Sequence, residues 1–462
     1  MIATVDSDIS ISGLTEETLT DIVSDLTFKN PEYLNTLKLG VGKRTSEGLS
    51  VWDKRSRTYV PIPETVTLYW EDATNQCIHV PAGYLDRLIE LAPDCTVVIN
   101  RRSIPGLPIR PRIPLSEVQE TAVRACIRNL DNPFIPMGGV LVGPCGCGKT
   151  RMGLAIAAEL GRPTLWLTNK ISLAEQARQS AVPLIGEDGL AVTKDGKLRL
   201  GERITFATVQ TMSCIDLTQL RDVFGLVIVD ECHHCVGTVT QVSMFSKVLN
   251  SLNCVKLGLT ATPKRSDGLT AAMFSILGNK LYEVERSDIA DRFCKIEYVQ
   301  KTSFPKLDLK KCKTRSGTIS SAKLMSQLIA DEGRLAVVID SIEHAPKPCL
   351  VLSSRLAYLD DIHKVFEDSV LLKNERTSDA GIILATYQLV AEGYDRPDLA
   401  SVVLATPEGN ETRIIQSAGR VQRSYPGKDV GYVIDIVDLC DYTRFDKMAK
   451  LRKRIIQKLN IR

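Results

Sequence analysis

The chain of 462 residues contains no run of 18 or more apolar residues, so no segment is expected to span a membrane. Its start, MIATVDSDISISGL, lacks both a basic opening and a continuous apolar stretch, so no signal peptide is expected. Aromatic residues are scarce at 5%, too few for extensive base stacking, and no aromatic-rich stretch of the kind that reads RNA occurs. An excess of one charge is also missing. The 58 Lys and Arg nearly balance 55 Asp and Glu, and the net +3 permits a nucleic-acid partner without arguing for one. Cysteines number 13, odd and scattered, with Cys145 and Cys147 inside a glycine-rich loop where a disulfide would be a hazard. A reduced, intracellular setting is expected, cytoplasmic or nucleoid-associated.

What is present is 44% hydrophobic and 24% charged residues in a chain too long for one core, so two or three domains are expected. Residues 1–112 open acidic, with Asp6, Asp8, Glu16, Glu17, Asp21 and Asp25. Alternating stretches at 66–70 and 77–80 then predict a β-hairpin, with a helix over 84–91. Residues 101–112 place Arg101, Arg102, Arg110 and Arg112 among prolines and glycine and read as a basic linker. From 113 to 290, short unbroken apolar runs at 140–142, 164–167, 204–207, 226–229 and 256–259 alternate with helical stretches. Strands buried on both faces read this way, which predicts a parallel sheet covered by helices. Residues 291–345 read as an inter-lobe linker with a helical segment. Residues 346–462 repeat the α/β pattern at 349–352, 381–384, 402–404 and 432–434 and end in a basic helix. The expected fold is α/β: two tandem lobes, each a parallel sheet with helices on both faces, after a small α+β N-terminal domain. Such lobes leave a cleft, and the motifs fall at its expected edges.

GPCGCGKT at 143–150 matches G-x-x-x-x-G-K-[ST] in full, between a predicted strand and a predicted helix. Gly143, Gly146 and Gly148 let backbone N–H groups turn inward around a phosphate without Cβ clashes, and the helix N-terminus adds its positive end. Lys149 is expected to neutralise β- and γ-phosphates and Thr150 to ligate Mg²⁺. About 80 residues on, Asp230 and Glu231 follow the apolar run 226–229. Asp230 suits the Mg²⁺ shell, and Glu231 the polarisation of an attacking water. ATP and Mg²⁺ are thus the expected substrate and cofactor. Cys232 and Cys235 frame His233 and His234 as C-x-x-C, but no second ligand pair accompanies them, and zinc is not expected there. In QSAGRVQR at 416–423, Gln416 opens a stretch in which Arg420 and Arg423 are three apart, so one helical face is expected to present both guanidiniums to developing phosphate charge.

Taken in order, GPCGCGKT, DECHH, LTATPKRSDG, TYQLVAEGYDRPDL and QSAGRVQR resemble the superfamily 2 helicases, in the XPB-like branch that includes helicase-like proteins of phages and large DNA viruses. The resemblance runs over residues 115–438, about 70% of the chain. It implies two RecA-like lobes, Mg²⁺-dependent ATP hydrolysis and translocation on nucleic acid, in host cytoplasm for a viral protein. It further implies that Gln119 contacts adenine and that His233, Thr260 and Thr262 couple nucleotide state to strand movement. Asn169, Lys170, Thr208 and Gln210 would contact the strand in the first lobe, as would Ser353, Ser354, Arg355 and Thr386 in the second. Gly393 and Asp395 match a box that contacts nucleotide and links the lobes. Between Ser354 and Ala385 the second lobe is shorter than is usual in the family.

The function these features imply is an ATP-dependent DNA helicase or translocase, remodelling or unwinding duplex or branched DNA in replication, repair or recombination. The partner is DNA, whether duplex, forked or single-stranded, and the chain is expected to be monomeric or weakly associating. Two alternatives stay open: a motor that acts with a partner protein, as in restriction or transcription release, and an RNA helicase. Residues 1–112 carry no nuclease pattern and stand where an accessory substrate-reading domain would.

Overall fold

The computed structural model describes residues 1–462 apart from 41, 46–47, 54–56, 101–103, 105, 108–111, 133–137, 237–238, 262, 264–266, 315–318, 374–378, 392–393, 395 and 461–462. Two compact units divide the chain, Met1–Glu285 and Arg286–Arg462.

The first unit holds a seven-stranded, wholly parallel sheet. Its order is Leu190–Thr193, Ile204–Thr208, Thr164–Thr168, Leu226–Asp230, Val255–Thr260, Gly139–Val142 and Lys280–Glu283. The interior strands are buried almost throughout, which is why their sequences read as unbroken apolar runs. The two edge strands are only partly covered. The parallel register brings the carboxyl ends of the interior strands to one edge, where Val142 faces Thr260 and Thr168 faces Thr208.

Ahead of it, a five-stranded sheet runs Thr96–Ile99, Ile2–Val5, Asp8–Ser12, Cys77–Pro81 and Trp70–Asp72, antiparallel except for the first pair. The expected hairpin is present, but its first arm is Trp70–Asp72. The segment Thr65–Thr67 instead pairs with Thr27–Lys29, because Val66 and Leu68 turn into the core. The expected helix forms over Leu85–Leu91. One apolar core runs from Ile9, Ile11, Ile22 and Leu88 into Val227, Leu249 and Leu277, so these residues and the seven-stranded sheet share an interior. Backbone reinforces it: buried Lys256 donates to Ser7 O at 2.6 Å, and a Cβ on Gly83 would overlap Gly278 N.

The second unit holds a six-stranded parallel sheet in the order Lys295–Ser303, Val430–Asp438, Ser401–Leu404, Cys349–Ser353, Ile382–Thr386 and Val370–Leu371. Residues 295–303, expected as linker, are its edge strand and pair residue for residue with Val430–Asp438. Only Ile296 and Ser303 are fully buried in it and polar residues break its apolar positions, which hides the strand from an apolar-run search. Helices Ser321–Ile329 and Glu332–Glu343 follow. The basic C-terminal helix spans Thr443–Leu459 and buries Phe445, Ala449, Ile455 and Ile456. Its Arg452 is not a surface cation: it is buried, with Nε 2.8 Å from Asp435 Oδ1.

Candidate nucleotide site and the strand edges around it

The strand Gly139–Val142 delivers the chain to the glycine loop, and the helix Lys149–Leu160 leaves from it. Gly143 N donates to Thr260 O at 3.0 Å, which ties the loop's first residue to the neighbouring strand. Gly146 and Gly148 have φ of +87° and +89°, conformations an L side chain rarely adopts. Gly148 is the N-cap of the helix, so the first orphan N–H groups point into the loop. Lys149 Nζ donates to Gly143 O at 2.9 Å and to Pro144 O at 3.4 Å, satisfying the loop's carbonyls. Burial by itself favours the neutral amine, but Cys145, Glu231, Cys147 and Asp230 outweigh it and hold the lysine above its ordinary range. Thr150, in the first helical turn, is half-buried.

Asp230 ends the strand Leu226–Asp230, and Glu231 turns sharply with φ 49°. A non-glycine residue in that region is strained, and such residues persist where the surroundings over-determine them. Burial, then the charge of Glu231, pushes the Asp230 carboxyl up, against the pull of Lys149. Burial also raises Glu231, but His233, Lys149 and His234 outweigh it and hold this carboxyl below the usual range. The pair is therefore split, with a basic Asp230 beside an acidic Glu231. His233 Nδ1 lies 3.3 Å from Glu231 Oε2 and 3.2 Å from Thr260 Oγ1, linking the acidic turn to the end of the next strand. Thr262 falls outside the described residues.

Gln119 reaches this loop from the helix Glu117–Leu130. Its Oε1 accepts from Ser116 N at 3.1 Å, and its Nε2 donates to Cys147 O at 2.9 Å. Both ends of the amide are engaged by the chain itself, so Gln119 braces the loop. Asn169 and Lys170 follow the strand ending at Thr168, and Asn169 Oδ1 is buried without a hydrogen bond. Thr208 caps the short helix Val209–Ser213, and Gln210 is exposed beside it. The structure thus places the expected strand-contacting residues of this unit at the carboxyl edge of the sheet. Cys232 packs its thiol 3.7 Å from Met273 Sδ.

In the second unit, Ser353 faces Thr386 across neighbouring strands, so these expected contacts also share one sheet edge. Ser354 is exposed there, its N–H donating to Thr406 Oγ1 at 2.8 Å, and Arg355 caps the helix Leu356–Val365. Thr406 had no motif to announce it; it follows the strand Ser401–Leu404 and positions Ser354. Gly393 and Asp395 lie outside the described residues. Gln416 is buried in the helix Glu411–Val421. Arg420, in the same helix, donates to Val390 O at 3.0 Å. The expected common helical face does not form: the helix ends at Val421, and Arg423 lies beyond it, bridged through its backbone to Phe293.

The family described as "Type III restriction enzyme, res subunit" matches residues 112–265, which hold the glycine loop and the acidic turn. A protein of Acanthamoeba polyphaga mimivirus named as an ATP-dependent RNA helicase is 25% identical over 339 residues, 70% of this chain and 64% of that protein. The DNA 3'-5' helicase XPB of Kineococcus radiotolerans is 28% identical over 273 residues, 54% of this chain and 45% of that protein. By these likenesses the chain is similar to the superfamily 2 helicases, viral and XPB helicases among them. The chain spans under two thirds of the length of either protein. Among solved structures, the ATP-dependent Type ISP restriction-modification enzyme LlaBIII bound to DNA aligns with TM-score 0.56 and 17% identity, over 76% of this chain and 30% of that one. That likeness is one of fold, and it agrees with two tandem RecA-like lobes after an α+β N-terminal domain.

Proposed function

We propose that the chain is an ATP-dependent DNA helicase or translocase. The observation that carries this is the half-buried trio Lys149, Asp230 and Glu231 beside a glycine loop with two left-handed glycines. A half-buried cation, two carboxylates of split basicity and the Thr150 hydroxyl are a donor set that fits a nucleoside triphosphate with Mg²⁺. Asp230 and Thr150 would hold the ion, which when bound offsets charge on the phosphates. Lys149 would exchange its carbonyl partners for phosphate oxygens. Glu231, kept ionised by His233 and Lys149, would orient the attacking water. Through His233 it meets Thr260, a short route from the reacting centre to the sheet edge that carries Asn169, Lys170, Thr208 and Gln210.

The test is steady-state ATPase of the purified chain with no polymer, single-stranded DNA, duplex DNA, a branched fork and RNA. Stimulation by DNA, greatest with duplex or forks, is expected. Stimulation by RNA alone would replace DNA with RNA as the track. A second reading, a motor that needs a partner protein, draws on the restriction-subunit family match and the LlaBIII fold. It predicts no stimulation by any polymer until the partner is added.

A further inference from the structure

The N-terminal sheet gathers five side chains that the nucleotide chemistry does not use. Cys77 and His79 are two apart on one strand and so share a face. Across the hairpin, Asp72 is the partner of Cys77, and Trp70 is the partner of His79. Cys77 Sγ lies 3.5 Å from His79 Nε2, and one ligand atom from each of Asp72, Cys77 and His79 falls within 4.8 Å of the others. Among the described residues no other such group of three occurs. On its far side, His79 Nδ1 meets Asp8 Oδ2 at 3.0 Å, both side chains largely buried. The Trp70 ring stacks on the imidazole at 3.6 Å and 6°, fixing its plane. Asp72 is oriented by Thr74 N, Asn75 N and Asn75 Nδ2 at 2.9, 3.1 and 2.7 Å.

We propose that Asp72, Cys77 and His79 form a binding site for a soft divalent cation of the Zn²⁺ class. Thiolate, imidazole and carboxylate are the ligands such ions take, and tetrahedral bond lengths place a bound sulfur and nitrogen roughly 3.5 Å apart. The Asp8 contact at Nδ1 leaves Nε2 as the metal-facing nitrogen, an arrangement that recurs behind metal-bound histidines. Binding releases the Cys77 thiol proton to solvent as the sulfur–metal bond forms, and water completes the shell. With three protein ligands the ion would clamp the hairpin arms Trp70–Asp72 and Cys77–Pro81 together, beside the strand Asp8–Ser12.

The test uses the full chain after chelator treatment, titrated with Co²⁺ and then competed with Zn²⁺. A near-ultraviolet thiolate-to-cobalt band is expected at one ion per chain, lost on adding Zn²⁺. Cys77→Ser should abolish the band, while Asp8→Asn should weaken affinity by roughly 10–100-fold without removing it. Zn²⁺ should raise the melting temperature of the parent and leave that of Cys77→Ser unmoved. If Cys77→Ser does not fold, His79→Gln replaces it, with the expected result a loss of affinity. A band that persists undiminished in these variants places the ion on other cysteines and overturns the proposal. So does the absence of any band, which leaves a thiol–imidazole hydrogen bond only.

Discussion

Gln119 and Gly148 are locked together: the Gln119 amide donates to Cys147 O at 2.9 Å and fills the space that a Cβ on residue 148 would need. The same glycine holds φ +89°.

Gly148→Ala therefore meets two costs. Gln119 is the end of a flexible side chain and can swing away, losing a hydrogen bond worth about 0.5–1.5 kcal/mol. The backbone conformation cannot be kept without strain on the order of 1–3 kcal/mol. The variant should fold, because the loop lies at the edge of the core, yet bind a fluorescent ATP analogue at least ~10-fold more weakly. Adding Gln119→Ala should restore little of this, since strain is the larger cost. Near-complete recovery in the double variant would assign the loss to the clash instead.

The raised basicity of Asp230 gives a pH dependence whose sign can be worked out. Its carboxyl is pushed up to about 6, by burial first and by Glu231 second. Mg²⁺ takes the deprotonated form, so protons compete with it below that value and not above it. Mg²⁺-dependent nucleotide binding should be flat near neutrality and fall about tenfold per unit below pH about 6. Glu231→Gln deletes the neighbouring negative charge and should move this acid limb to lower pH. An acid limb unchanged in Glu231→Gln would separate it from Asp230.

The interior strands and the glycine loop were legible because burial on both faces leaves unbroken apolar runs and because a phosphate loop has a fixed residue pattern. The edge strands were not. In Lys295–Ser303 the outward residues are polar and the strand looks like linker, although Ser303 Oγ reaches Asp438 Oδ1 at 2.6 Å. The basic C-terminal helix misled in a different way: Arg452 counts as a surface charge in sequence, yet its partner Asp435 is 17 positions back on a buried strand. Long-range ion pairs leave no local signature. The same holds for Thr406, whose role depends on Ser354, 52 residues earlier.

The position of Gly83 bears on what residues 1–112 do for the rest of the unit. A Cβ there would overlap the backbone N of Gly278, which itself has φ +103° and sits at the end of the helix Thr270–Leu277. Backbone cannot swing aside as Gln119 can. Gly83→Val should separate the packed surfaces and destabilise the first unit, read as a lower melting temperature and greater dye binding. Deleting residues 1–112 should do more, since it uncovers the core shared by Leu88 and Leu277. The truncated chain should aggregate rather than keep basal ATPase. A soluble truncation with full turnover would show the shared core to be dispensable.

Arg334 supplies the last prediction, one about stability. Its guanidinium is fully buried, with Nε 2.7 Å and Nη2 3.2 Å from the two oxygens of Asp438, Nη1 2.9 Å from the Tyr358 hydroxyl and Nη2 2.8 Å from Ala405 O. The pair ties the helix Glu332–Glu343 to the end of the longest central strand of the second sheet. Burying two charges is costly, so the pair as a whole need not add stability over an apolar substitute. Removing one partner is different, because the other is left charged without compensation. Asp438→Asn should cost about 3–5 kcal/mol, seen as a lower denaturant midpoint for the second unit. Arg334→Leu alone should cost a similar amount, by stranding Asp438. The double variant Arg334→Leu with Asp438→Asn leaves neither charge stranded and should be less destabilised than the sum of the two single changes. Additive losses would show that the two residues contribute separately and not as a pair.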